Sequence, residues 1–175
     1  HEARATFFML SDNIKKYPDA VRKAIQKGNS IGLHGVSHDA KRIFQSAEIL
    51  VNEMHECNQS LQEVAGFRTD LVRVPYGSKP HMPKEFKEEL ENSGFILWDW
   101  NVDSQDSVKG DELSAKKIVQ NVKAQVLRKK VPVILMHEKE ETVKALPEIL
   151  DFLKKQNYVL EPIGENVTPV NFWQN

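Results

Sequence analysis

Apolar residues come in two rhythms along this chain, and the rhythms alternate. Residues 5–10, Ala-Thr-Phe-Phe-Met-Leu, form a short aromatic and β-branched run, the composition of a buried strand. Val21, Ala24 and Ile25 then follow helical spacing within residues 18–27, with Gly28 placed to end the helix. Residues 30–34 read as a second strand. Ser46 reads as the N-cap of a long helix in which Leu50, Met54, Cys57, Leu61 and Val64 step by four and three until Gly66 stops the run. A short strand at 71–74 is closed by Pro75, which lacks the N–H that would continue a ladder. Pro83, Phe86, Leu90 and Gly94 outline the next helix, and residues 95–100 a strand that runs into a small acidic loop at 101–106. A helix is predicted over 113–127 from Ile118, Val119, Val122 and Val126, and a nearly all-apolar strand over 131–136. Thr142 is predicted to cap a last helix with Val143, Leu146, Ile149, Leu150 and Leu153 inward. Residues 158–162 read as the final strand.

Six strands alternating with five helices imply βαβ crossovers and a parallel sheet, open or closed as a barrel. No repeat, low-complexity segment or linker interrupts the pattern, so residues 1–175 are expected to form a single domain. A hydrophobic content of 40% is enough to bury a core at this length. The net charge of −1 offers no broad basic field, which argues against nucleic acid as a partner. The basic residues between Lys116 and Lys130 are expected to be a solvated helix face, with attraction to an anionic polymer as the lesser alternative. The single cysteine, Cys57, rules out an internal disulfide framework, and its place on an apolar stripe points to the core. No apolar run reaches membrane-spanning length. The first residue is His1 rather than Met, so the chain is expected to be a processed or trimmed product that would have lost any signal segment.

Polar residues with chemical potential fall just past the predicted strands: His34 and His38, Arg73 to Tyr76, Asp103 and Asp106, and His137. In a parallel sheet such ends converge on one rim, where α/β proteins place their chemistry. Two imidazoles four residues apart can share a metal ion, although the same pair can also be one buried and one solvated histidine. Catalytic zinc keeps three protein ligands and an open position, and within this sequence only Asp39, Asp103 and Asp106 are candidates for a third. Arg73, in an apolar strand, must find an anion or reach solvent. Tyr76, Trp98 and Trp100 are either core residues or platforms for the apolar faces of sugars, and Trp173 is placed to cover the bottom of the fold. Lys79 either meets an anionic substrate or is simply exposed. His55 and His81 have no partner in the pattern and are expected to be solvated.

Taken together, these residues resemble the polysaccharide deacetylase family, the NodB-homology or carbohydrate esterase family 4 domain. His34-Gly-Val-Ser-His38 is similar to its metal-binding H-[ST]-x-x-H motif, with Gly35 where Ser or Thr is commoner. Arg73-Val-Pro-Tyr76 resembles R-x-P-Y, whose Arg orients the catalytic carboxylate and whose Tyr supplies a backbone N–H to the oxyanion. Asp103-Ser-Gln-Asp106 resembles the acidic motif, with Ser107 where the family has Trp, and Leu135-Met-His137 the L-x-H motif that provides the general acid. The resemblance implies an irregular (β/α)7 barrel. It implies metal ligation by His34 and His38, with zinc expected and cobalt or nickel as alternatives. His137, Arg73, Asp106, Tyr76 and Asp103 become the catalytic set, with Asp106 before Asp103 as the carboxylate that keeps His137 charged. Substrate is expected to meet Tyr76, Pro75, Trp100 and Leu135.

The family's first motif, T-F-D-D-G, which brings the catalytic base and third ligand, has no counterpart, since no Asp-Asp pair occurs anywhere in the chain. Six strands and five helices fall one of each short of the barrel, so a first βα unit carrying that motif is expected to lie outside these residues. The implied activity is deacetylation of an N-acetylglucosamine polymer such as peptidoglycan or chitin by a monomeric protein at the cell surface or outside the cell. Xylan or a small amide is the alternative substrate. The alternative function is an inactive domain that binds a glycan or a protein partner.

Overall fold

The strands are shorter than the apolar runs that encode them, because only residues in register with a neighbour join the ladder. The computed structural model describes residues 1–108, 114–164 and 167–173. These divide into two compact units, a larger one of Arg4–Asp99 with Pro162–Asn175 and a smaller one of Trp100–Glu161 with His1–Ala3.

In the larger unit β1 (Thr6–Met9) is followed by α1 (Ser11–Lys16) and α2 (Pro18–Gln26). After β2 (Ser30–Leu33) come α3 (Ala40–Ile43) and α4 (Ala47–Ala65), and after β3 (Leu71–Val72) comes α5 (Lys84–Asn92), with β4 (Ile96–Leu97) last. The strands lie in the order β1-β2-β3-β4, all parallel. Met9 stands beside Leu33, Leu33 beside Val72, and Val72 beside Leu97. The ladder runs one residue further along β2, β3 and β4: His34 N–H donates to Met9 O (2.9 Å), Arg73 N–H to Leu33 O (3.0 Å) and Trp98 N–H to Val72 O (2.8 Å). Three chemically distinctive residues thereby emerge level at the C-terminal ends of adjacent strands.

Helix α4 begins where Ser46 Oγ accepts from Ile49 N–H and ends at Gly66 in the left-handed region, both as its sequence predicts. It buries Leu50, Met54, Cys57 and Leu61 against Ile31, Leu33 and Val72. Cys57 Sγ donates to Met9 O at 3.3 Å, and burial pushes its thiol up to about 11, so it is a core residue rather than a reactive one. Gly32 has a steric role. A Cβ on it would run into the Phe8 ring and lie 3.2 Å from the Leu71 carbonyl, so the bare backbone lets Phe8 lie across β2.

In the smaller unit β5 (Val102–Asp103) pairs in parallel with β6 (Ile134–Leu135), beside α6 (Ala115–Val126) and α7 (Glu140–Lys155). Val102, Ile118, Val122, Val126, Ala145, Ile149 and Leu153 form its core. Among the described residues no helix is long and apolar enough to cross a membrane.

Several expectations are corrected. Residues 158–162 are not a strand, because Tyr158 N–H is used to close α7 on Leu153 O and Val159 is exposed. The loop expected at 101–106 contains β5. Thr142 does not cap α7; Lys139 holds that position without a side-chain cap, and Thr142 is buried in the first turn. The inward stripe is accordingly Thr142, Ala145, Ile149 and Leu153, leaving Val143 and Leu146 exposed. Helices α1 and α3 are unforeseen, being too short to display a stripe. Asp39, a candidate ligand, instead caps α3 by accepting from Lys41 N–H at 2.9 Å. Leu113, expected to open α6, lies outside the described residues, and Ser114 caps that helix.

Gly32→Ala is expected to lower stability by about 1–3 kcal/mol, because the added methyl must displace Phe8 or the β2–β3 pairing. Chemical denaturation checks this, and an unchanged midpoint would contradict the packing.

Candidate active site

Where β2 ends, the His34 ring turns back onto β3. Its Nδ1 lies 2.5 Å from the carbonyl of Arg73. A carbonyl oxygen only accepts, so Nδ1 carries a proton, and in the neutral ring Nε2 holds the lone pair, the state in which a histidine ligates a metal. The ring of His38 is 5.2 Å from that of His34 and 4.8 Å from that of Tyr76. Tyr76 Oη donates to the His38 carbonyl at 3.0 Å, tying the two motif loops together. His38 (φ 49°) and Tyr76 (φ 67°) both occupy the left-handed region, a conformation that concentrates at functional sites. Tyr76 is 53% exposed, and its backbone N–H takes no acceptor among the described residues.

Arg73 leaves β3 into the interior. Its guanidinium sits 4.3 Å over the Phe8 ring, and Nη2 donates to the Asp99 carbonyl at 3.1 Å. Burial pushes the guanidinium down to about 10, opposed by the Asp99 carboxylate, so it stays cationic near neutrality. Asp99 is itself buried and accepts from Ser78 N–H (2.8 Å), Ser78 Oγ (2.5 Å) and Phe172 N–H (2.8 Å). The anion beside Arg73 is thus Asp99, just past β4, the strand that pairs directly with β3.

In the smaller unit, Asp106 rather than Asp103 partners His137. The His137 Nδ1 is 2.7 Å from Asp106 Oδ1, and His137 N–H and Thr142 Oγ1 each donate to Oδ2 at 2.7 Å. Lys139 Nζ donates to the Asp106 carbonyl at 3.0 Å. Burial pushes the Asp106 carboxyl up, but the hydrogen bonds from His137 and Thr142 together outweigh it and hold the group below its ordinary value. Because a carboxylate accepts Nδ1–H, Nε2 is the His137 nitrogen left for chemistry. Asp103 instead shapes the turn, its Oδ1 accepting from Gln105 N–H at 2.7 Å while Gln125 bonds its backbone on both sides. Gln105 is a third left-handed residue in a motif loop (φ 58°).

The structure therefore brings His34, His38, Arg73 and Tyr76 together in the larger unit and Asp106 and His137 in the smaller. Pro75 and Leu135 are buried and Trp100 is half-buried. Trp98 is a core residue, and Trp173 is covered by Lys79, whose Nζ lies 4.3 Å over its ring. His81 and His55 are exposed but not partnerless. His81 stacks near-parallel on Phe44 and meets Tyr76 edge-on, and His55 packs 5.0 Å from Phe95.

Three residues of these networks are absent from the predicted set. Glu53 lies under the His34–His38 loop, accepting from Val36 N–H (3.0 Å), Ser37 N–H (3.1 Å) and Ser37 Oγ (2.7 Å). Asp99 and Thr142 are the others. Glu53 had a signal, since it falls three residues after Leu50 and so inside the apolar stripe of α4.

As a metal site, His34 and His38 fit as two imidazoles of one ligand set, with the His34 tautomer fixed correctly by its carbonyl partner. Among the described residues no group of three or more His, Cys, Asp or Glu side chains is placed to hold an ion.

Comparison with known proteins places the chain in a family. The family model described as polysaccharide deacetylase matches residues 1–97, more than half of the chain. The chain is 34% identical over its whole length to a peptidoglycan-N-acetylglucosamine deacetylase of Bacillus cereus, covering 65% of that protein. It is 36% identical to YheN of Bacillus subtilis over 97% of the chain and 61% of the relative. The chain thus spans under two thirds of the length of these curated relatives. Among solved structures, the polysaccharide deacetylase Bc1974 from Bacillus cereus superposes with a TM-score of 0.91 at 35% identity, over 100% of this chain and 86% of that one. The NodB-like α/β fold and the matched family agree, and the chain belongs to the polysaccharide deacetylase family.

Proposed function

We propose that this chain is the deacetylase domain of an enzyme that hydrolyses N-acetyl groups of an N-acetylglucosamine polymer, with peptidoglycan as the first candidate and chitin the second. The observation that carries the reading is the pair of preset imidazoles, His34 Nε2 by way of the Arg73 carbonyl and His137 Nε2 by way of Asp106. The deacetylases of peptidoglycan N-acetylglucosamine among the relatives supply the substrate class. Work on cell-wall polymer puts the protein at the cell surface or outside the cell.

Each residue has a role that its geometry suits. His34 and His38 would hold a divalent cation, with zinc first and cobalt or nickel as alternatives. When bound, such an ion polarises the acetyl carbonyl and makes water nucleophilic at neutral pH. The N–H of Tyr76, which takes no acceptor among the described residues and is held by a strained backbone, donates to the oxygen that becomes negative as the carbonyl carbon is attacked. His137 gives its Nε2 proton to the departing amine, while Asp106 accepts Nδ1–H and balances the charge of the doubly protonated ring. Arg73 acts from beneath, its carbonyl orienting His34 and its guanidinium held by Phe8 and Asp99. Tyr76, Pro75, Trp100 and Leu135 are assigned to the sugar and acetyl contacts. The third ligand and the base, which the family carries on its T-F-D-D-G motif, are not among the 175 residues.

A second reading is a family member that binds glycan without hydrolysing it. Acetate release from N-acetylglucosamine oligomers and from peptidoglycan by the full-length protein separates the two. Release that is lost on chelation supports the enzyme, and glycan binding without release from any acetylated substrate supports the second reading.

In the active protein His137→Ala is expected to lower kcat by about 10²–10⁴-fold, the contribution of a general acid. His34→Ala is expected to abolish stoichiometric zinc, read by elemental analysis of the purified protein; full zinc occupancy in that variant would refute the assignment. The Asp106 contacts also predict a pH dependence. Because its folded pKa lies below the ordinary 3.8, its contribution to stability is complete above that value and disappears as pH falls through the lower folded one. The stability gap between wild type and Asp106→Asn, about 1–3 kcal/mol near neutrality, should therefore close below about pH 4 in denaturation series. A gap independent of pH would contradict the ionised pair.

A further inference from the structure

We propose that Glu53 is the positioning residue that fixes the bite of the metal pair, through the three residues between His34 and His38. The inference rests on the reading of His34 and His38 as ligands and adds to it a residue outside every recognised motif.

Glu53 belongs to α4, yet its side chain is only 2% exposed and faces the loop rather than solvent. Both of its oxygens are engaged, and every partner is a donor. Oε2 accepts from Val36 N–H and Ser37 N–H, and Oε1 accepts from Ser37 Oγ and lies 3.1 Å from Arg42 Nε. Two consecutive backbone N–H groups aimed at one carboxylate oxygen define the direction of the chain at Val36 and Ser37, because rotating either peptide would leave a buried donor and a buried charge unmatched. Ser37 passes the constraint onward, its Oγ also accepting from Asp39 N–H at 3.2 Å, so His38 is bracketed on both sides.

The loop is equally confined at its start. Gly35 has φ 90°, and a Cβ there would lie 3.0 Å from Glu53 Oε2 and 3.2 Å from Ile43 Cδ1. The Ser or Thr that the family motif commonly carries at this point is thus replaced by glycine where the carboxylate comes up from below. The loop's hydroxyl is instead that of Ser37, two residues later and bonded to that carboxylate. One turn further along α4, Cys57 packs beneath the backbone N–H groups of His34 and Gly35. The helix therefore supports the pair from its first ligand to the residue before its second. Carboxylates one shell out from a metal orient the ligating groups, and their loss typically weakens metal binding about 10–100-fold.

The test is cobalt titration of the full-length protein, followed by the visible absorption of the bound ion and by zinc competition, with thermal unfolding of the metal-free protein alongside. Glu53→Gln keeps the shape but removes the charge, and its NH2 must face either the Val36 and Ser37 N–H groups or the Ser37 hydroxyl and Arg42 Nε. It is expected to bind cobalt about 10–100-fold more weakly and with an altered spectrum. A folded Glu53→Gln protein with wild-type affinity and spectrum, whatever its melting temperature, would overturn the proposal, since a purely structural role moves stability alone. If Glu53→Gln does not fold, Ser37→Ala decides. It removes the hydroxyl that links Glu53 to the Asp39 side of the loop, and weaker cobalt binding supports the proposal while unchanged binding overturns it. Wild-type protein that takes up no cobalt or zinc would remove the metal reading itself and this proposal with it, an outcome distinct from a wild type that binds while its variants bind equally well.

Discussion

The parallel register that sets Leu33 beside Val72 is the constraint on which the rest of the larger unit depends. It is a single pairing, but it decides that the residues following those two emerge side by side, and one of them is His34 and the other Arg73. Only at that offset can the His34 ring reach the Arg73 carbonyl, and only then is its proton held on Nδ1. A slip of one residue would turn each of these side chains to the opposite face of the sheet. Gly32 protects the same register from within, since any side chain there would displace Phe8, the ring that also carries the Arg73 guanidinium. Backbone pairing, aromatic packing and the state of an imidazole are in this way one arrangement.

Three buried carboxylates show how the fold affords charged groups in its interior. Asp99, Glu53 and Asp106 are each met by backbone N–H groups, hydroxyls or a cation. Burial disfavours the charged form of a carboxyl, and at Asp106 the hydrogen bonds more than offset it. Each carboxylate also serves a motif loop it does not belong to, or a motif partner. Asp99 steadies the turn after Arg73, Glu53 the stretch between the histidines, and Asp106 the ring of His137. Electrostatic satisfaction and site geometry are met by the same bonds.

Much of this was legible in the sequence. Alternating rhythms indicate the parallel α/β class, and strand-end placement singles out His34, His38, Arg73, Asp106 and His137. Ser46 and Gly66 bounded α4 correctly because caps are local chemistry. What escaped depends on three-dimensional neighbours. Asp99 reads as one polar residue between two tryptophans, and nothing local says that Ser78 and Phe172 will donate to it. Thr142 looked like a helix cap because its hydroxyl suits that position equally well; its partner, Asp106, is 36 residues away. Residues 158–162 had strand composition but no neighbour in register. Glu53 is readable as a charge on an apolar stripe, but the hydrophobic residues around it define the helix without it.

Cys57 has a practical consequence. It is the one thiol in these 175 residues, and burial keeps it protonated at the pH of ordinary handling. Thiol-directed reagents that act on accessible thiolates will leave the native domain unmodified. A cysteine introduced at a solvent-facing position, such as exposed Val143 on α7, would then be a unique attachment point for a fluorophore or spin label. Motions of the His137 loop could be followed from there without first removing a native residue from the core.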